Sequence, residues 1–213
     1  MTKSRTFLML GPHTDDVELG CGGTVARFLE EGDTEIHVAV FSTAADSVPK
    51  GFPKHALKDE FYRAMNVLGV PRRNLKVYDY SVRKLSYSRQ DILEELVRLR
   101  KAIDPGTVFL PSGQDLHQDH QTVYWEGVRA FKEITMWGYE LPWNTITFPA
   151  RGFVTLEARH LAKKWEALKE YKTQFSVGRP YFSLDYVKGI AMVRGVQVKS
   201  KYAEAFDVVR EKW

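Results

Sequence analysis

At 213 residues the chain has the length of one ordinary domain and can bury a substantial core. Its 44% hydrophobic, 27% charged and 13% aromatic residues exclude a disordered, fibrous or disulfide-scaffold chain. The formal charge is +4, with lysines and arginines interleaved among 27 acids, a weak argument for an anionic substrate and hardly any for nucleic acid.

Taken in chain order, Thr6–Leu10 reads as a buried strand and Gly23–Glu31 as a helix with Val25, Ala26, Phe28 and Leu29 inward. Glu35–Phe41 is a second strand, and His55–Leu68 a second helix closed by Gly69 with Pro71 just beyond. Asn74–Tyr80 is a third strand. Gln90–Ile103, with Ser88 as its expected N-cap, is the most regular helix, and Thr107–Leu110 follows Asp104-Pro105-Gly106 as a fourth strand. After residue 131 the order changes: β-like pieces at Ile134–Tyr139 and Thr145–Phe148, helices near Glu157–Lys169 and Ser183–Val193, and a strand near Ala205–Val209. Strand and helix in alternation imply an α/β fold, a Rossmann-like, mostly parallel sheet with helices on both faces. With no repeat or linker to divide it, residues 1–213 are expected to form one domain whose C-terminal third closes over the active-site edge. Cys21 is the only cysteine, so no internal disulfide can form and a cytoplasmic location is expected. Phe7–Leu10 is too short for a signal peptide, and no window approaches the roughly 20 apolar residues of a transmembrane segment.

In an open parallel sheet, ligands bind beyond the carboxyl ends of the strands. Two loops in those positions are unusually polar: Gly11-Pro-His13-Thr-Asp15-Asp16-Val-Glu18-Leu-Gly-Cys21-Gly-Gly23 after the first strand, and Pro111-Ser-Gly-Gln-Asp-Leu-His117-Gln-Asp119-His120 after the fourth. Three of the six histidines fall in them. The first loop lacks a phosphate-binding glycine pattern, and Asp15 and Asp16 would repel an anion. Two carboxylates beside a histidine suit a cation. Catalytic zinc takes three His or carboxylate ligands and leaves one position open. His13, Asp16 and His120 can supply that set, with Asp15 and His117 nearby as proton-transfer groups.

Pro12-His-Thr-Asp-Asp-Val-Glu-Leu-Gly-Cys-Gly-Gly23 resembles the first motif of the PIG-L/LmbE family of zinc-dependent N-acetylglucosaminyl deacetylases, and His117-Gln-Asp-His120 resembles the second. Glu60 through Gly69 and Tyr202–Phe206 extend the likeness. The resemblance implies a hydrolase removing the acetyl group from an N-acetylated sugar or sugar conjugate through a zinc-activated water. It implies His13, Asp16 and His120 as Zn2+ ligands, with Fe2+ or another divalent ion as alternatives, and Asp15 as general base. His117 would stabilise the oxyanion or, as a cation, protonate the leaving amine, with Asp119 orienting it. Many relatives carry a substrate-holding arginine three residues before the position of Glu60, where this chain has Leu57. Lys54, Lys58 or Arg63 are the expected replacements.

Other readings stand beside these. His37, His55 and His160 read as packing or surface residues, Glu18 as a hydrogen-bonding support, and Cys21 as a small buried residue in a glycine turn. Of Tyr124, Trp125, Trp137, Tyr139, Trp143, Tyr181 and Phe182, one or two are expected to line a pocket and stack on a sugar. Two histidines and a carboxylate also fit a non-haem Fe(II) oxygenase, and a non-catalytic sugar- or nucleotide-binding module is the remaining rival. The aromatic-rich segment Trp137–Phe148 offers a face for a homo-oligomer.

Overall fold

The computed structural model describes residues 5–212. Seven strands, β1 (Arg5–Gly11), β2 (Thr34–Val40), β3 (Leu75–Val77), β4 (Thr107–Pro111), β5 (Thr135–Tyr139), β6 (Gly152–Leu156) and β7 (Tyr202–Arg210), join one sheet in the order β3-β2-β1-β4-β5-β7-β6. β3, β2, β1, β4 and β5 run parallel, and β7 is antiparallel to both β5 and β6. The helices are α1 (Asp16–Glu30), α2 (Ala56–Leu68), α3 (Arg89–Ile103), α4 (Gln118–Ala130), α5 (Ala158–Leu168), α6 (Lys172–Val177) and α7 (Leu184–Gln197). Among the described residues none is long and apolar enough to cross a membrane.

The central strand shows why helices cover both faces. Successive side chains of a strand point to opposite sides. Phe7 and Met9 of β1 join a core built with Val25 of α1, Phe61 of α2 and Leu161 of α5. Leu8 and Leu10 join a second core with Ile92 and Leu96 of α3 and Val123 of α4. β1 pairs with β2 on one side and β4 on the other, so the chain reverses its direction of winding between β1 and β4. At such a switch point the loops leaving the two strands diverge and open a crevice. Those loops hold the polar motifs.

Several elements differ from their expected extents. α1 begins at Asp16 rather than Gly23, because the glycines of the first motif serve close packing within a helix. A Cβ on Gly20 would lie 2.3 Å from the Tyr139 ring. The helix kinks at Cys21 (φ −145°, ψ 22°), and the backbone N–H groups this frees at Gly23 and Thr24 donate to the Glu204 carboxylate of β7 at 3.0 and 2.6 Å. Glu204 also accepts from the buried Lys164 ammonium of α5 at 2.7 Å. β3 stops at Val77, although the N–H groups of Tyr78 and Tyr80 still reach the carbonyls of Val40 and Phe41. Thr145–Phe148 is not a strand. The chain turns there through bonds from Asn144 and Thr145 to the Leu141 carbonyl, and the strand forms later as β6. α2 ends as expected, on Gly69 in the left-handed region (φ +98°).

Candidate metal centre and cavity

The loop after β1 is fixed before it reaches α1. The Gly11 and Pro12 carbonyls accept from Phe41 and Ser42 at the end of β2, and the His13 N–H donates to Asp16 Oδ2 at 2.8 Å. Tyr171 lies behind the loop, bonded to the Thr14 carbonyl and, at 2.6 Å, to Glu18. Glu18 is fully buried and acts as a support, as expected. Beyond β4, Asp115 Oδ1 accepts the His117 N–H at 2.8 Å. His117 is the N-cap of α4, its Nδ1 accepting the Asp119 N–H at 3.1 Å.

These two loops bring His13, Asp16 and His120 together. His13 Nδ1 is 3.2 Å from Asp16 Oδ2, His120 Nε2 is 3.4 Å from the same oxygen, and the two ring nitrogens are 3.3 Å apart. Ligand atoms around a tetrahedral zinc with bonds of about 2.0–2.1 Å stand about 3.3 Å from one another. The outward nitrogens are backed by carboxylates: His13 Nε2 by Asp119 Oδ2 at 3.0 Å, and His120 Nδ1 by Asp115 Oδ2 at 2.8 Å. Each imidazole that donates outward turns an unprotonated nitrogen into the triangle, the arrangement a metal-ligating histidine requires. The donor set therefore fits a divalent cation. His117 is close enough to form a second set with His13 and His120, the ligand atoms lying within 4.8 Å of one another, but this is the looser grouping.

Burial and the charges packed together here displace several of these groups from their ordinary pKa values. Burial opposes charge on His13, but the Asp16 and Asp119 carboxylates outweigh it and push its pKa up to about 10. Burial likewise opposes ionisation of Asp16, and the His120 and His13 charges hold it well below the usual carboxylate range. Asp15 goes the other way: burial and then the Asp16 charge raise it to about 6. Burial, followed by the charges of His120 and His13, lowers His117 to about 4. Since His117 Nδ1 accepts a backbone N–H, the neutral ring carries its proton on Nε2. The cationic His117 expected from the sequence is thus disfavoured, and its surroundings make it a neutral donor. Asp119 also differs from expectation. Its carboxylate serves His13 rather than the His117 ring, and it takes the N–H groups of Arg83 and Leu85 at 2.5 and 3.1 Å.

A cavity of about 300 Å³ opens over this floor. Asp15, Asp16, His117 and His120 line it below, and Leu57, Val82, Arg83, Trp143, Arg179 and Tyr181 are among its walls. Residues after 131 thus close over the site edge, as expected. Trp143 and Tyr181 are the aromatics that reach it, stacked at 3.8 Å and 11°. Lys54, Lys58 and Arg63 do not line it, and Arg63 instead pairs with Glu170 at 3.1 Å. The lining cations are Arg83 and Arg179, which no local signal marked because only the fold brings them to the cavity. Asp115 escaped for the same reason, being a lone loop aspartate two residues before His117. Glu60 is buried and accepts the Thr173 N–H and hydroxyl at 3.0 and 2.5 Å, pinning α6 to α2. His37, His55 and His160 lie elsewhere, beside Glu35, Asp59 and Glu30.

An α/β sheet with a His/Asp/His triangle at its switch point defines a metallohydrolase-like site. The family model described as GlcNAc-PI de-N-acetylase, PIG-L, matches residues 8–131, and the chain belongs to that family. An uncharacterized deacetylase of Escherichia coli (strain K12), YaiS, is 28% identical over 177 residues, covering 80% of this chain and 92% of that protein. The fold is shared with N,N'-diacetylchitobiose deacetylase from Pyrococcus horikoshii (TM-score 0.78, 19% identity, 96% of this chain and 84% of that one). It is equally shared with the 4-carboxy-2-hydroxymuconate hydratase GalB from Pseudomonas putida KT2440 (TM-score 0.79, 19% identity, 98% of each chain). One fold therefore carries two reaction types, and the reaction must be argued from the site.

Proposed function

We propose that this protein is a divalent-metal-dependent hydrolase that removes the acetyl group from an N-acetylated sugar or sugar conjugate, with zinc held by His13, Asp16 and His120. The observation that carries this reading is the triangle of donor atoms 3.2–3.4 Å apart, each imidazole backed by a carboxylate. When bound, the cation supplies Lewis acidity toward the amide oxygen and lowers the pKa of water. Asp15, raised to about 6, is ionised at neutral pH yet basic enough to take a proton from water as its oxygen bonds to the acetyl carbonyl carbon. The Nε2–H of His117 donates to the amide oxygen as negative charge builds there. The C–N bond then breaks, and the proton held on Asp15 passes to the leaving nitrogen, giving acetate and the free amine. Membership of a deacetylase family and an α/β sheet support this reaction over a facial-triad oxygenase.

The test is acetate release from N-acetylhexosamine derivatives, run beside metal analysis. About one divalent ion per chain is expected, with activity lost to a chelator and restored by zinc. His117→Ala should keep its metal and lose turnover by about 10²–10³-fold, the worth of an oxyanion donor. Full activity in metal-free protein would sink the reading. Metal loss in His117→Ala would move the ligand set to the three histidines.

A further inference from the structure

Helix α7 is apolar on two faces. Its inner face buries Val187, Ala191 and Gly195 as the helix packs on β7 and α5. The outer face of a surface helix is normally polar, as on α3, which exposes Gln90, Glu94, Arg98 and Lys101. On α7 the outer face instead shows Met192, Val193 and Val196, exposed to 51%, 56% and 77%. An apolar stripe presented outward in this way marks a surface that a partner covers.

The stripe is its own complement. Gly189 stands on it about one turn before Val193 and two before Val196, and nothing lies within 4 Å of the place a Cβ would take there. A second copy can lie antiparallel, with the twofold axis between Met192 and Val193. Each Val196 then sits over the other copy's Gly189, and Met192 and Val193 meet at the centre. Charge agrees with that direction. Asp185 lies on the same stripe in the first turn and Lys199 just past the last. Both are exposed, and among the described residues neither is in an ion pair. Antiparallel pairing brings each Asp185 level with the other copy's Lys199, whereas parallel pairing would set like charges together. An acid on the stripe also argues against a lipid surface.

We propose that α7 is a twofold interface through which two copies of this chain pair, helix against antiparallel helix. The patch is small, so the pairing belongs to the weak, reversible class. It does not depend on the reaction in the cavity.

Sedimentation velocity of the full chain, from about 1 μM to about 1 mM, should show a monomer–dimer equilibrium. Val196→Glu should weaken it by about 30-fold or more. Gly189→Leu separates a fitted notch from a merely sticky patch. Leucine favours the helix and enlarges the apolar surface, so a sticky patch would associate more strongly. A filled notch should instead weaken pairing by about tenfold or more. Asp185→Lys and Lys199→Glu should each weaken it by about 2–10-fold, and the double variant should restore it. Circular dichroism checks that each variant keeps its fold, as exposed positions should. A monomer at every concentration overturns the interface, as does a dimer that Val196→Glu leaves intact. Stronger association in Gly189→Leu, or no rescue in the double variant, overturns the antiparallel register. Val196-dependent flotation with phosphatidylcholine–phosphatidylserine vesicles, by a chain that stays monomeric, would give the face to a lipid surface instead.

Discussion

The floor of the cavity and its walls treat their polar groups in opposite ways. In the floor, His13, Asp16, His117 and His120 are tied to one another or to Asp115 and Asp119 within 3.4 Å. In the walls, Arg83 and Arg179 line the cavity with no carboxylate partner among the described residues, and Trp143 and Tyr181 stack on each other and their neighbours. A connected hydrogen-bond network holds reacting groups to one geometry. Groups left unpartnered are available to a ligand. On the proposed function, the reaction belongs to the floor, and the walls are what a bound substrate would meet.

The sharpest way to break that contrast is within the floor, at two adjacent aspartates. Asp15→Asn should retain metal and fold while losing about 10²–10⁴-fold in turnover. Asp16→Ala should lose metal as well. Because a base must be unprotonated, wild-type activity should climb as pH rises through about 6, and this limb should vanish in Asp15→Asn. Equal metal loss in both variants, measured by elemental analysis, would show the pair to be wrongly divided. A smaller effect separates floor from wall. Asp115→Ala, which strips the carboxylate behind His120, should weaken metal binding by about 10–100-fold. Trp143→Ala should leave metal affinity unchanged and raise KM. The smallest signal is a proton count. His13 holds a proton up to about pH 10 when no cation is present, so metal binding at pH 7 should release about one proton. Calorimetry in buffers of different ionisation enthalpy reads it, and zero release would mean that His13 is already neutral.

The central strands and α2 and α3 were legible because their apolar residues repeat at the two regular periods, as in Leu8 and Leu10 against Phe7 and Met9, or Ile92, Leu96 and Leu99. α4 was not, because its first turn is spent on His117, Asp119 and His120, which read as loop. The early start of α1 was hidden by glycines, since the need for Gly20 comes from Tyr139 over a hundred residues away. For the site, the two motifs located every residue of the triangle. They could not show that Asp119 faces His13, that Asp115 faces His120 or that Arg83 and Arg179 line the cavity. Each of those depends on where separate loops come to rest.

The grip of Glu204 on the kink of α1 has a consequence for the order of assembly. Asp16 lies in the first half of that helix, and the second half is anchored by a carboxylate 181 residues later than Gly23. Lys164, the partner of Glu204, also bonds the Leu19 carbonyl of the first half at 2.7 Å. During synthesis the first motif leaves the ribosome long before the strand that secures it. Such distant closures are formed slowly, since the entropy of the intervening loop is lost before the contact is gained. A nascent chain halted before Tyr202 would therefore contain His13, Asp16 and His120 and still lack the carboxylate that anchors the second half of α1.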